Sequence, residues 1–171
     1  APGEEFSLIV LPLFHAFGLG VALHFSMCAG FTCIGMPTFS ADKANKYIKK
    51  YNVTYIVGVP AMYKKMYDAS NFDGEHLKKL RLLWAGGDIV SDTFMHAFNS
   101  KLAKWGAKGR LYRGYGLTEV SSVCTANVKG ANKENSIGKP LDELTIEIWD
   151  ENKKKLPPNT IGEIVITGST V

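Results

Sequence analysis

Gly109-Arg110-Leu111-Tyr112-Arg113-Gly114-Tyr115-Gly116-Leu117-Thr118-Glu119 passes from a short strand into a turn that holds two glycines, an aromatic ring, a hydroxyl and a carboxylate. Glycines that follow a strand let the backbone adopt positive φ and approach a ligand closely. Tyr115 can offer a flat π face to a planar ring, and the Thr118 hydroxyl can hydrogen-bond an anion. A carboxylate such as Glu119 beside a phosphate makes sense when a hard divalent cation lies between them. The turn therefore suits a purine ring, a phosphate and Mg2+ held together. The same residues also suit an ordinary turn, with Thr118 as a helix N-cap and Glu119 in a first turn favoured by the helix dipole.

Working outward, the chain alternates strands and helices across short loops. Ser7 to Leu11 is an apolar, β-branched run ended by Pro12, as expected of a buried parallel strand. From about His15 to Ala29 the pattern is apolar nearly all round, which predicts a buried helix. Thr32 to Gly35 follows as a strand, then Asp42 to Tyr51 as an amphipathic helix with Ser40 as its N-cap. Val53 to Val59 is a strand stopped by Pro60, and Ala61 to Ala69 a helix. Leu80 to Ala85 is a strand ending in Gly86-Gly87, and Ser91 caps a helix running through Trp105. Arg110 to Tyr112 is the fifth strand. The predicted fold is α/β, an open and mostly parallel sheet with helices on both faces. Such sheets bind ligands at the carboxyl ends of their strands. The segments Pro12 to Gly18, Ala85 to Ser91 and Gly114 to Ser122 all fall at that edge.

The pattern changes after about Asn135. Glu143 to Trp149 and Glu163 to Thr167 alternate apolar and polar residues around Lys153-Lys154-Lys155 and Pro157-Pro158, which predicts a β-hairpin with a solvated loop. A boundary is expected near Ile137-Gly138-Lys139-Pro140, dividing an α/β subdomain (1–136) from the hairpin (137–171).

Composition narrows the function classes. A charged content of 21 % and an apolar content of 46 % are those of a soluble globular chain. The net charge of +4 comes from lysines scattered over predicted helix surfaces, which argues against a nucleic-acid groove. Cys28, Cys33 and Cys124 are an odd number without paired spacing, which fits a reducing cytoplasm better than a disulfide framework. The apolar run from Phe17 to Ile34 is broken by His24, Ser26 and glycines, so no transmembrane segment is expected. The opening Ala1-Pro2-Gly3 carries no initiator Met, so a piece of a longer protein is expected.

Other constellations carry competing meanings. His15 stands just past a strand, where it could meet a carboxylate or acyl phosphate, or simply pack among Phe14 and Phe17. Gly18-Leu19-Gly20 with Asp42 has the outline of a dinucleotide fingerprint, but Leu23 stands where the third glycine belongs and Phe14 and Phe17 crowd the turn. His24 and Cys28 share a helix face with Cys33 nearby, a set that suits core packing better than zinc. Ala85-Gly86-Gly87-Asp88-Ile89 offers bare backbone to a flat ligand, or a plain strand-to-helix turn. Neither a G-x-S-x-G elbow nor a G-x-x-x-x-G-K-[ST] phosphate loop occurs in the chain.

Taken in order, the loops resemble the adenylate-forming family: acyl-CoA synthetases, coumarate–CoA ligases, luciferase and the adenylation domains of peptide synthetases. The matching pieces are Pro12-Leu13-Phe14-His15 with Gly18, Val59-Pro60, Gly86-Gly87, Tyr115-Gly116-Leu117-Thr118-Glu119, Ile137-Gly138-Lys139-Pro140, and Gly162-Glu163-Ile164-Val165-Ile166-Thr167-Gly168. The resemblance runs along essentially the whole chain, and the ordered pair of the fourth and last pieces is its most specific part.

The resemblance implies an ATP-dependent acid–thiol (acyl-CoA) ligase, with ATP, coenzyme A and a small carboxylic acid as substrates. Its nucleotide site would comprise Gly86, Gly87, Asp88, Gly114, Tyr115, Gly116, Leu117 and Thr118, with Tyr115 against the adenine. Thr118, Glu119 and His15 would be catalytic, with Glu119 as the Mg2+ ligand. His15, Phe17 and Ser122 would border the acyl pocket. Asp88-Ile89 departs from the family's commoner Ala-Pro after the paired glycines. The family's Ser/Thr/Gly-rich triphosphate loop would precede residue 1. Its ribose-binding Asp and catalytic lysine domain would follow residue 171, so the chain alone is expected to be inactive. The hairpin would belong to an incomplete β-barrel, whose open edges are expected to promote self-association.

Overall fold

The computed structural model describes residues 3–171. Nine strands and four α-helices follow in chain order. Strands β1 (Phe6–Ile9), β2 (Thr32–Gly35), β3 (Tyr55–Gly58), β4 (Leu82–Ala85) and β5 (Arg110–Tyr115) pair in parallel in the order β2-β1-β3-β4-β5. The short strands β6 (Thr125–Ala126) and β7 (Lys139–Pro140) add antiparallel at the β5 edge. The predicted hairpin is β8 (Leu144–Trp149) and β9 (Glu163–Gly168), a separate two-stranded antiparallel sheet. All five predicted parallel strands exist, and β5 runs three residues further than expected, through Gly114 and into Tyr115.

Helices cover both faces, as the alternation predicts. On one face, α2 (Ala41–Tyr51), α3 (Pro60–Asp68) and α4 (Asp92–Lys104) enclose a core of Leu8, Ile48, Ile56, Tyr63, Leu83, Phe98, Leu102 and Leu111. Local chemistry sets their ends. Ser40 accepts from the Lys43 amide and Ser91 from the Phe94 amide, each satisfying a donor left free in the first turn. Pro60 opens α3, where its fixed φ is already helical. Asn52 closes α2 in the left-handed region at φ 52°. Strand β3 is buried along its whole length, consistent with its unbroken Tyr-Ile-Val run.

The opposite face differs from expectation. His15 to Ala29 is not a uniformly buried α-helix. Phe17–His24 is a π-helix that passes into the short helix α1 (Phe25–Cys28), and the Phe25 amide reaches back to Gly20 O. Only Gly18, Ala22 and Ser26 are buried, four residues apart in turn, so small side chains face the sheet. The Ser26 hydroxyl donates to Ala22 O at 2.6 Å and lies 2.8 Å from Ser7 Oγ on β1. Leu19 and Met27 point outward, 52 % and 63 % exposed. Apolar composition identified the segment, and small-residue spacing decides which side meets the sheet.

Beside the main core, a one-turn 3-10 helix at Glu75–Lys79 carries His76. Its Nε2 is buried and without a hydrogen-bond partner. Burial, with the nearby Lys49 charge, lowers the His76 pKa below 6.5, against an opposing pull from Asp73. The folded state therefore holds this ring neutral, whereas the unfolded chain takes up a proton near pH 6.5. Stability is expected to be full above that pH and to fall as pH drops below it toward the lowered folded value. Urea unfolding of wild type and His76→Leu at pH 7.5 and 5.5 checks this: the variant should lose less stability on acidification.

Candidate active site

The site begins with one ladder. Ala85 is the register partner of Arg113, so Gly86-Gly87 leaves β4 directly beside Gly114-Tyr115, the last two residues of β5. A Cβ on Gly86 would lie 3.1 Å from Phe17 Cζ and 3.4 Å from Gly114 O, and Gly87 takes φ +78°. Bare backbone is thus required at this edge, whatever binds there. Arg113 on β5 and Asp92 in the first turn of α4 form a largely buried ion pair, tying together the two segments that carry these walls.

The turn after β5 is folded back on itself. The Leu117 carbonyl accepts from the Val120 and Ser122 amides, and the Tyr115 carbonyl accepts from the Cys124 amide at 2.9 Å. A Cβ at Gly116 would fall 1.6 Å from Ser122 O, so only glycine fits. The return passes through two non-glycine residues at positive φ, Ser121 at 59° and Ser122 at 126°. Such conformations persist where surrounding structure enforces them, and they cluster at functional sites. The Ser122 hydroxyl is buried without a partner. Thr118 is not an N-cap: Thr118–Val120 is a single 3-10 turn capped in position by Leu117, with no side-chain cap bond. The Thr118 and Glu119 side chains are left exposed instead.

The first loop supplies the third wall. His15 Nδ1 accepts from the Phe17 amide at 3.1 Å, which in the neutral ring assigns the proton to Nε2, the outward nitrogen. A Cβ on Gly18 would sit 2.2 Å from Pro12 O, so this glycine answers a packing demand of the turn. Gly20 faces Ser121 and Ser122 across about a van der Waals gap. The Gly18-Leu19-Gly20 sequence is therefore explained by these approaches without a dinucleotide.

These loops enclose one cavity of ≈ 690 Å³. Of the residues expected at a site, His15, Phe17, Gly86, Gly87, Gly114, Tyr115, Gly116, Leu117, Thr118, Glu119 and Ser122 all line it. Asp88 does not: its carboxylate accepts from the next amide, Ile89 N, at 2.7 Å. The cavity also takes in Val21, Phe25, Trp84, Val123, Leu141 and Thr170, which sequence reasoning passed over. Strand alternation could have found Trp84, two residues before Gly86 on the same face. Leu141 and Thr170 carry no local signal. Thr170 reaches the rim because the hairpin folds back, its carbonyl accepting from Ser121 Oγ at 3.2 Å, while Leu144, Ile146 and Ile166 pack against Tyr115, Val120 and Cys124.

Among the described residues, no group of three or more His, Cys, Asp or Glu side chains converges as a metal site. Cys28 Sγ and His24 Nε2 approach to 3.6 Å on an exposed surface. Among the described residues, Glu119 is the only carboxylate on the cavity wall. One carboxylate suits Mg2+ that arrives with a nucleotide, because this ion is commonly held by one or two carboxylates plus substrate phosphates.

Comparison with known proteins agrees with this geometry. The family model for AMP-binding enzymes matches residues 2–171. A long-chain-fatty-acid–CoA ligase of Bacillus subtilis is 30 % identical over 171 residues, covering 99 % of this chain and 30 % of that protein. An oxalate–CoA ligase of Arabidopsis thaliana is also 30 % identical, covering 98 % and 33 % respectively. The chain thus spans about a third of the length of these relatives. The crystal structure of ATP-bound MatB from Rhodopseudomonas palustris superimposes with a TM-score of 0.86 at 25 % identity, over 98 % of this chain and 32 % of that one. The match of a single family model along all but the first residue makes the chain a member of the AMP-binding enzyme family.

Proposed function

We propose that this chain is the central part of an ATP-dependent acid–thiol ligase, forming an acyl-adenylate and then a thioester with coenzyme A. The observation that carries this reading is the shared cavity of His15, Gly86, Gly87, Tyr115, Thr118 and Glu119. In this reading residues 1–136 form the binding subdomain and 137–171 a hairpin that buttresses it. Tyr115 lies against the adenine with Gly86 and Gly87 across the slot, and Leu117 and Gly114 complete its rim. The Thr118 hydroxyl donates to the α-phosphate. His15 Nε2–H donates to an oxygen of the acid, and Phe17 and Ser122 border its acyl group.

The chemistry follows from positioning. A carboxylate oxygen attacks the α-phosphorus of ATP, the bond to the bridging oxygen breaks, and pyrophosphate leaves. The thiol sulfur then attacks the acyl carbon, and AMP departs with the former carboxylate oxygen. Holding both reactants in one cavity turns an encounter between two anions into a near-unimolecular step. Held by Glu119 and the phosphates, Mg2+ would offset the negative charge that otherwise repels the incoming carboxylate. Three free thiols suit a reducing, cytoplasmic setting for this chemistry.

Among the described residues that line the wall, the ionisable side chains are His15, Tyr115 and Glu119. A second reading, which such a wall also suits, is a non-catalytic nucleotide- or protein-binding module that retains the fold. Pyrophosphate release by the full-length protein, with ATP and a panel of acids, separates the two. The ligase reading expects release from the full-length protein and none from residues 1–171 alone. Glu119→Gln in the full-length protein should lower kcat/KM at least a hundredfold by weakening Mg2+ binding, with partial recovery at raised Mg2+. An unchanged rate removes Glu119 from the site. The same reading leaves the two-stranded β8–β9 sheet with open edges, so residues 1–171 should self-associate. Light scattering that gives a monomer mass at tens of micromolar contradicts this.

A further inference from the structure

We infer that the acid is a compact apolar monocarboxylic acid, aryl or at most medium-chain, because Trp84 and Phe25 floor the acyl end of the cavity. The inference rests on the ligase reading above and goes beyond it by naming the substrate class. Two lines of wall descend from the sheet edge where His15 and Glu119 sit. Along the strand, Trp84 stands two residues below Gly86, roughly 7 Å deeper at the rise of a β-strand. Along the helical segment, Phe25 stands eight residues beyond Phe17, just past the π-helix. There the two rings meet, with centroids 6.5 Å apart and planes tilted by 59°.

A second layer backs this floor. Tyr55, 2 % exposed, packs 5.6 Å from the Phe25 ring and 6.2 Å from Trp84. Phe31 closes the group at 6.0 Å from Phe25 and 5.7 Å from Tyr55. The Trp84 ring is also tied in place, because its Nε1–H donates to Asn127 O at 3.1 Å. An acyl chain longer than the descent to Phe25 has to displace a hydrogen-bonded indole and the rings behind it.

Charge narrows the class further. His15, Tyr115 and Glu119 belong to the first and third loops, at the open edge. The large side chains elsewhere on the wall are apolar, among them Phe17, Val21, Phe25, Trp84 and Val123. A second carboxylate there would be desolvated without a cation to pair it, which is costly. The cavity therefore rejects both a diacid and a long chain, although an oxalate–CoA ligase and a long-chain-fatty-acid–CoA ligase are among the similar proteins.

The test uses the full-length protein and pyrophosphate release with benzoate, octanoate, palmitate and oxalate. Benzoate or octanoate is expected to exceed both palmitate and oxalate at least tenfold in kcat/KM. Trp84→Ala should raise the palmitate-to-octanoate ratio at least tenfold. Should that variant fail to fold, Phe25→Ala, at a residue 41 % exposed, carries the same expectation. Palmitate or oxalate used as well as octanoate by wild type overturns the proposal alone, as does an unchanged ratio in a folded variant. Silence with every acid, in a protein that still binds AMP, overturns the ligase reading and this proposal with it.

Discussion

Everything at the candidate site depends on the parallel ladder between β4 and β5. Its register sets Ala85 opposite Arg113, and both strands run in the same direction. The two glycine-bearing turns must therefore emerge side by side. A slip of one residue would turn every strand side chain to the other face, putting Trp84 into the α2–α3–α4 core and Leu83 into the cavity. Burial of both faces of the sheet prevents that slip, since Leu83 and Leu111 fill one core while Trp84 lies in the other. The register is thus enforced by hydrophobic packing, and the site inherits its precision from the core.

Around that ladder, close approaches at glycines hold the loops together. Gly86 meets Phe17, Gly116 meets the Ser122 carbonyl, and Gly18 meets the Pro12 carbonyl. The contacts at Gly116 and Gly18 leave no room for a side chain, and the one at Gly86 is tight. The positive φ values at Ser121 and Ser122 are the local cost of folding the Tyr115–Glu119 turn back under itself. The amides of Val120, Ser122 and Cys124 hold that turn, and the hairpin residues Leu144, Ile146 and Ile166 pack behind it. The exposed Thr118 and Glu119 thereby stand on a turn held by main-chain bonds and packed from behind.

Much of this was legible in sequence because it is local. Strand boundaries at Thr32 and Gly35, the caps at Ser40 and Ser91, and Pro60 at the start of α3 follow from nearest-neighbour chemistry. The parallel sheet followed from alternation of strand and helix, and its carboxyl edge pointed to three loops. The segment after Pro12 was less legible, since its composition could not reveal the π-helical geometry or the outward turn of Leu19 and Met27. Asp88 was equally opaque. An Asp after two glycines suits a ligand contact or a bond to the next amide, and only the loop conformation selects the latter.

The amino-acid sequence by itself determined the fold class, the family and the identities of His15, Gly86, Gly87, Tyr115, Thr118 and Glu119, because each is written in short-range patterns of residue type. Tertiary structure alone decided that these residues share one cavity, that Thr170 and Leu141 border it, and that the Trp84 and Phe25 rings meet on its wall. The physical reason is distance along the chain. Residues 17, 25, 84, 122 and 170 meet through strand register and helix packing, and neither of these is encoded in any single window of sequence.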